Sequence, residues 1–246
     1  MAKSLFLETA FAFVSNPIPF ASTFEMFEAV QSIVEPLGFS AVASGRIGYS
    51  QPAEALHYAC WKPEWLALYV ERGFMRIDPV PIWAILSGLA VTISELRRLL
   101  PTSHPGHQVF DAGRDFGYIG GYVVPQRSVD NAIGLVCFIG ERDPIDTRER
   151  AVLRLLANTA FERAEDMAGR SRPQALPMPP PDLSPRERLC LKHIVDGKTS
   201  AEIAMLMKIS QATVQFHAAN LRAKTGTRNR TELVSLAITT GLVPTP

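Results

Sequence analysis

Three aromatic side chains and one carboxylate lie close together between residues 61 and 78. Trp65 and Tyr69 are four positions apart, which places them on the same side of a helix. Trp61 precedes this pair, and Asp78 follows it directly before a proline. Two indoles and a phenol form an apolar wall with a few hydrogen-bond donors, and the carboxylate adds one strong acceptor. This composition is typical of a pocket for a small molecule.

Both features also have a plainer interpretation. Aromatic residues at helical spacing more often belong to a core than to a binding site. An aspartate that precedes a proline is the usual N-cap of a helix. From the residues alone we assign Asp78 to such a cap, and Trp65 fits a core position and a site equally well.

A second group of polar side chains lies on one predicted helix near the C-terminus. Ser210 is placed to cap the start of this helix, and Gly226 to end it. The side chains predicted to remain exposed on it are Gln211, Thr213, Gln215, Ala218, Asn220 and Arg222. None of them is acidic. Such a face can enter the major groove of DNA, where Gln and Asn pair with adenine and Ala contacts the methyl group of thymine.

The elements around that helix form a four-helix pattern within residues 183–246. Capping boxes that begin with Ser184 and Thr199 start the first two helices, and residues 228–240 supply the fourth. Only residues 207–209 separate the second helix from the third, which is the length of the turn in a helix-turn-helix. The pattern therefore predicts an all-α helix-turn-helix domain. A four-helix bundle that docks on another protein is the less favoured alternative.

Charge is distributed unequally along the chain. Residues 184–246 contain nine Lys and Arg against four Asp and Glu, whereas residues 1–170 contain fifteen against nineteen. A basic C-terminal part is expected where only that part contacts phosphate. The side chains that could contact the DNA backbone without reading its sequence are Lys198, Thr199, Thr213, Lys224 and Arg228. Taken singly, Lys224 and Arg228 could equally be solvated surface.

The first 170 residues predict a larger domain. Its elements follow the order helices, two strands, helices, two or three strands, and a long helix over residues 146–168. That order predicts an α/β sandwich, in which an antiparallel sheet carries helices on both faces. Residues 171–182 contain five prolines, which predicts a linker that keeps domains 1–170 and 183–246 apart.

Several classes of protein are disfavoured by the sequence. No apolar run approaches the roughly 20 residues that span a bilayer, and the first residues do not resemble a signal peptide. The three cysteines, Cys60, Cys137 and Cys190, lack metal-ligand spacing. They predict reduced, buried thiols of a cytoplasmic protein without a cofactor. An enzyme is disfavoured because the chain has neither a G-x-S-x-G elbow nor a zinc-type spacing of His and Glu.

The chain resembles the LuxR-type quorum-sensing transcription regulators along essentially its whole length. In the C-terminal part, the residues that match the family spacing without gaps are Glu187, Leu191, Gly197, Glu202, Ile203, Ala204, Ser210, Thr213, Val214, His217 and Lys224. In the N-terminal part, Trp65, Tyr69 and the pair Asp78-Pro79 resemble the autoinducer-binding domain of the same family. One departure is Gln215, where the family often has Lys or Arg, and it leaves the operator sequence open.

The resemblance implies an acyl-homoserine lactone as ligand and a homodimer that binds a two-fold operator in double-stranded DNA. It also allows RNA polymerase as a further partner. Trp65 would donate its indole N–H to the lactone carbonyl, Asp78 would accept the amide N–H of the ligand, and Tyr69 would pack beside it.

Three predicted ligand-contacting positions depart from the family pattern. Trp61 stands where the family usually has Tyr, Ile93 where it has a second Trp, and Cys137 where many members have Ser or Thr. These departures leave the acyl group open. The alternatives are a regulator that responds to a different small molecule and one that acts by pairing with a related regulator.

Overall fold

The computed structural model of the chain describes residues 2–15, 19–47, 56–130, 132–170 and 181–243. It divides into two compact units, Met1–Gln174 and Ala175–Pro246. Most of the predicted linker, residues 171–180, lies outside the described residues. None of the described helices has the length and apolar character needed to cross a membrane.

The first unit combines seven α-helices with a five-stranded sheet in its described residues. Its helices are α1 (Ala2–Ser15), α2 (Thr23–Val34), α3 (Pro63–Glu71), α4 (Pro79–Ser87), α5 (Ile93–Leu99), α6 (His107–Arg114) and α7 (Thr147–Met167), with 3₁₀ helices at Glu35–Leu37 and Phe74–Arg76. Its strands are β1 (Ala41–Ile47), β2 (Leu56–Ala59), β3 (Val91–Thr92), β4 (Gly120–Arg127) and β5 (Ile133–Gly140). The strand order is β2-β1-β5-β4-β3, and all neighbouring strands are antiparallel.

Successive side chains of a strand point to opposite sides of the sheet, so each strand contributes to two cores, and helices cover both faces. On one face, Val42 and Phe138 pack in a core with α1, α2 and α7. On the other face, Ala43, Val123 and Cys137 belong to a core that includes side chains of α5 and α6, and α3 packs beside it. The antiparallel sheet between two helical layers confirms the predicted α/β sandwich.

Two local features of the first unit differ from the prediction. The sequence pattern does not predict β3 or α5, and α5 begins with a capping box formed by Thr92 and Glu95. Cys60, predicted to be buried, is exposed, whereas Cys137 and Cys190 are buried. Cys60 directly follows the edge strand β2, where only one side of the strand is covered by a neighbour.

The second unit consists, in its described part, of the four predicted helices: α8 (Pro185–Val195), α9 (Ser200–Met207), α10 (Gln211–Thr225) and α11 (Arg230–Thr239). Ser184 and Thr199 form the predicted capping boxes, and Ser210 caps α10. Gly226 ends α10 in the left-handed conformation, with φ 68°. Apolar side chains from all four helices form one core that includes Leu191, Ile203, Val214, Leu221 and Leu233. The predicted helical C-terminal domain is confirmed.

Candidate functional site

A small, mostly apolar cavity lies on the face of the sheet that α3 to α6 cover. Its volume is about 100 Å³. All six residues predicted to contact a ligand line it: Trp61, Trp65, Tyr69, Asp78, Ile93 and Cys137. The sequence pattern does not identify the other six lining residues, Val80, Val109, Phe110, Gly113, Tyr118 and Ile139. Most of these are plain apolar residues, which carry no signal that distinguishes a cavity wall from a core.

Helix α3 fixes two of the aromatic walls. Pro63 occupies its first turn, and Trp65 and Tyr69 follow one turn apart on its buried side. The indole ring of Trp65 lies 5.5 to 6.1 Å, between ring centroids, from the rings of Tyr69, Phe74, Phe116 and Tyr118. Because these contacts surround the indole, its orientation is set by the fold itself.

The indole N–H groups of Trp61 and Trp65 donate no hydrogen bond to any of the residues that the structure describes. Trp83, by contrast, donates its indole N–H to the carbonyl oxygen of Leu89 at 2.7 Å. A Trp N–H that is withdrawn from water usually finds an acceptor. Both indoles line the cavity, so their N–H groups are candidate donors to a bound molecule.

Asp78 is both the cap of a helix and part of the cavity wall. Its Oδ1 accepts the backbone N–H of Val80 at 2.8 Å, which caps α4 as the plainer interpretation predicts. Its Oδ2 accepts the hydroxyl of Tyr69 at 2.8 Å. A carboxylate can accept about four hydrogen bonds, so each oxygen keeps acceptor capacity after these two.

The buried environment of Asp78 disfavours the ionised form of its carboxyl group. Burial raises the pKa of Asp78, and the hydrogen bonds from Val80 and Tyr69 only partly offset that rise. No described Lys, Arg or His forms an ion pair with its carboxylate. Burial together with Asp78 also raises the pKa values of Tyr69 and Cys137, so both keep their protons at neutral pH. The cavity thus contains a carboxylate that lacks a cation and is stabilised by hydrogen bonds alone.

In the second unit, most residues predicted to contact DNA reach the surface to some extent. Gln211, Gln215, Lys198, Thr199 and Arg228 are exposed, whereas Thr213, Asn220 and Arg222 are half-buried. Ala218 is also half-buried and packs against the helical core. The prediction that Ala218 stays exposed is therefore wrong: it lies one turn from Val214, on the side of α10 that faces the core.

Comparison with known proteins covers both units. Residues 22–164 match the autoinducer binding domain family, and residues 181–237 match the bacterial regulatory proteins of the luxR family. The chain belongs to the LuxR family of transcription regulators. The transcriptional activator SolR of Ralstonia solanacearum is 30% identical over 227 residues, which cover 89% of this chain and 92% of SolR. The quorum-sensing regulator RhlR of Pseudomonas aeruginosa is 28% identical over 221 residues, 89% of each chain.

A solved structure shows the same fold for the whole chain. The crystal structure of Escherichia coli SdiA superposes with a TM-score of 0.52 at 22% identity and covers 99% of both chains. The two family matches identify the protein as a LuxR-type autoinducer-binding transcription regulator, and the families and relatives that it matches are regulators, not enzymes. In its described part, no group of three His, Cys, Asp or Glu side chains is placed to hold a metal ion.

The LuxR-type regulator also contains a buried carboxylate, Glu165, on the face of the sheet opposite the cavity. Glu165, near the end of α7, lies with Oε1 3.0 Å from Nε2 of His57 on β2 and accepts from Nε of Arg170 at 3.0 Å. Its Oε2 accepts the hydroxyl of Ser128 and lies 3.4 Å from Nη1 of Arg46. Sequence reasoning misses this cluster because its members lie up to 119 positions apart.

Two guanidinium groups decide the charge state of that cluster. Burial alone would raise the pKa of Glu165, but the hydrogen bond from Ser128 and the charges of Arg170 and Arg46 outweigh it and lower the pKa. Burial lowers the pKa of His57, and Glu165 only partly opposes that change. Glu165 is therefore held as a carboxylate beside a neutral imidazole.

Lys224 of the regulator has a structural role inside its domain that the sequence does not predict. Its ammonium group donates to Oε2 of Glu187 at 2.8 Å and to the carbonyl oxygen of Asp182 at 2.9 Å. Lys224 and the capping bonds at Ser184 lower the pKa of Glu187 from 4.5 to about 2. Lys224 therefore helps to fix the start of α8, and its contact to the DNA backbone stays a prediction.

Proposed function

We propose that this LuxR-type regulator senses an acyl-homoserine lactone in the Asp78 cavity and binds a two-fold operator as a cytoplasmic homodimer. The observation that carries the proposal is the carboxylate of Asp78, which faces an apolar cavity without a cation beside it. The remaining acceptor capacity of this carboxylate suits a ligand that carries an N–H donor.

The ligand chemistry follows from the hydrogen-bonding groups in the cavity. Burying an amide N–H without a partner costs roughly 1–3 kcal/mol. The carboxylate of Asp78 removes that cost with a charge-assisted hydrogen bond. The indole N–H of Trp65 supplies a donor for a carbonyl oxygen of the same molecule, and Tyr69 packs beside it. A compact molecule with an amide and a lactone carbonyl, such as an acyl-homoserine lactone, matches this set.

The cavity also bears on the acyl chain. A volume of about 100 Å³ is smaller than the roughly 300–1,000 Å³ that pockets for drug-sized ligands usually offer. The cavity in this state fits a short acyl chain, and a longer chain requires the side chains around it to move. Trp61, larger than the Tyr usual at its position, takes up part of this space. Ile93 adds an apolar surface to the cavity, and Cys137 adds only a weak S–H donor.

Ligand binding is linked to DNA binding through stability. A ligand that binds only the folded state stabilises it by about 2.7 kcal/mol at a hundredfold excess over the dissociation constant. The ordered domains would then present two copies of α10 to half-sites that lie one helical turn apart, as the two-fold symmetry of a dimer requires. Lys198, Thr199 and Arg228 are exposed and would contact phosphates.

The test uses the purified full-length chain and homoserine lactones with acyl chains from butanoyl to dodecanoyl. Melting temperature and retention of a selected DNA duplex are measured for each compound. We expect at least one lactone to raise both. The matched control ligand is the ester analogue, in which oxygen replaces the amide N–H and turns a lone pair towards Asp78. If no lactone changes either readout, or if the ester acts equally well, the ligand assignment is wrong.

The three departures from the family pattern favour one alternative, a different small molecule in the same cavity. Mass spectrometry of a solvent extract of the protein, purified from its own host, distinguishes the two. An acyl-homoserine lactone in the extract supports the proposal. If the extract contains a different compound with an N–H group, Asp78 remains the predicted acceptor, but the ligand is not an acyl-homoserine lactone.

A further inference from the structure

The most exposed face of helix α10 is apolar. Val214 and Leu221 are fully buried and define the side that faces the core. Phe216 follows Val214 by two positions, which turns it about 200° away from that side at roughly 100° per residue. Its side chain is accordingly 61% exposed. Ala212, Ala219 and Ala223 share this outward face and are exposed, and the half-buried Asn220 lies at its edge.

Phe216 lies outside the core of its own domain. Among the described residues, the ring of Phe216 has an aromatic contact only with the adjacent His217, at 6.0 Å between centroids. A single exposed apolar side chain is common on protein surfaces, so exposure alone indicates nothing. The position is informative because Phe216 lies in the second turn of α10, within the N-terminal part of the helix that contacts base edges in a helix-turn-helix.

The surroundings of Phe216 fit a nucleic acid. The side chains of the three alanines are short, so the backbone of α10 can approach a duplex closely. Gln215 lies next to the ring and is exposed, and α10 contains no acidic residue. Residues 184–246 have five more basic than acidic side chains, which complements the phosphate backbone.

The chemistry of the ring selects which base edge it can contact. Phe has no donor or acceptor, so it leaves the polar groups of guanine, adenine or cytosine unpaired. Thymine alone presents a methyl group in the major groove, and apolar side chains contact it favourably. We infer that Phe216 reads thymine methyl groups at the centre of each half-site and is a specificity-determining residue of this regulator. This inference rests on the proposed binding of DNA by α10.

The test begins with duplexes that the full-length chain, with its activating lactone, selects from a randomised library. Each thymine of the selected operator is then replaced by deoxyuridine, which removes the methyl group and leaves the hydrogen-bonding edge unchanged. We expect one or two thymines per half-site at which the replacement weakens binding by about fourfold, the effect of one buried methyl-sized group. In Phe216→Ala, thymine and uracil operators should bind equally.

Gln215→Ala is the matched control, because it changes the neighbouring exposed side chain. It should lower affinity and keep the preference for thymine over uracil. Wild-type protein that binds its operator without any response to uracil would overturn the inference, as would Phe216→Ala that retains the response. A wild-type chain that retains no duplex would instead show that the proposed function is wrong, and this inference with it.

Discussion

Asp78 and Glu165 both lie inside the first unit, and their environments have opposite effects on the pKa of the carboxyl group. Asp78 and Glu165 each accept a hydroxyl hydrogen bond, from Tyr69 and Ser128 respectively. Burial raises the pKa of Asp78, which has no cation beside it, whereas the hydrogen bonds and charges around Glu165 overcome burial and lower its pKa. Glu165 is satisfied by the fold itself. Asp78 keeps acceptor capacity and forms no ion pair with the described residues. A binding site needs such a group to accept a hydrogen bond from the N–H of a ligand.

The largest expected change in the free energy of unfolding comes from removing the carboxylate of Glu165. Glu165→Ala removes the shared partner of Arg46 and Arg170, although Arg46 keeps its ion pair with Asp130 and Arg170 is partly exposed. We expect a loss of about 3 kcal/mol, the lower end of the range for breaking a buried ion pair. The measurement is urea unfolding followed by tryptophan fluorescence. All three tryptophans, at positions 61, 65 and 83, lie in the first unit, so the signal reports that unit.

Glu162→Ala is the control for this experiment, because Glu162 is exposed on the same helix α7. It should change the free energy of unfolding by about 0.5 kcal/mol or less, as surface substitutions usually do. Equal losses in the two variants would show that the Glu165 cluster does not stabilise the fold. Loss of ligand affinity in Glu165→Ala under folding conditions would contradict the separation of the two carboxylates.

The pH dependence of stability should also separate the two groups. The folded pKa of Glu165 is lowered from 4.5, so its stabilising effect is complete above that value and is lost as the pH falls towards the folded pKa. The folded pKa of Asp78 is raised from 3.8, so ionisation destabilises the ligand-free fold as the pH rises through the raised value. The contributions of Glu165 and Asp78 to the free energy of unfolding therefore change in opposite directions with pH.

The measurement compares ligand-free wild-type protein with Asp78→Asn and Glu165→Gln by urea unfolding from about pH 3 to 8. Relative to Asp78→Asn, the wild type should lose stability as the pH rises above about 4. Relative to Glu165→Gln, it should lose stability as the pH falls below about 4.5. Differences that run parallel for the two variants would refute the assigned pKa directions.

The smallest expected effect concerns the shape of the cavity. A Cβ atom on Gly113 would lie 3.4 Å from Cβ of Tyr118 and 3.7 Å from the ring of Trp65, which is ordinary contact. Gly113→Ala should stabilise α6 by about 0.5–1 kcal/mol, because Gly is unfavourable inside a helix. The same methyl group narrows the cavity, so the ligand-induced rise in melting temperature should shrink. An unchanged ligand response would show that Gly113 does not limit the bound ligand.

The sequence predicts those parts of the structure whose causes are local. The capping residues Ser184, Thr199 and Ser210 mark helix starts because their partners lie three residues away. The aromatic residues of α3 and Asp78 are close enough in sequence to be grouped, and Ile93 and Cys137 join them only through the family resemblance. All six line one cavity in the structure.

What the sequence could not predict depends on distant partners. The hydrogen bond of Lys224 to Glu187 joins residues 37 positions apart, and no local pattern predicts it. Glu165 looks like an ordinary polar residue of a long helix, and its partners come from β1, β2 and the segment after β4. Ala218 and Phe216 differ in exposure because packing of α8 and α9 decides which side of α10 is buried, and the pattern of apolar residues on α10 is too weak to show it.

The most direct test of the difference between the two carboxylates is the affinity of Asp78→Asn for the activating lactone. Asn is also a good N-cap, so α4 and the ligand-free fold should remain intact. The charge-assisted hydrogen bond to the ligand amide is lost, and bonds to charged groups contribute about 1.5–3 kcal/mol. We therefore predict that tryptophan-fluorescence titration gives a dissociation constant about 10- to 100-fold higher than that of the wild type. Wild-type affinity in a folded Asp78→Asn protein would contradict the account.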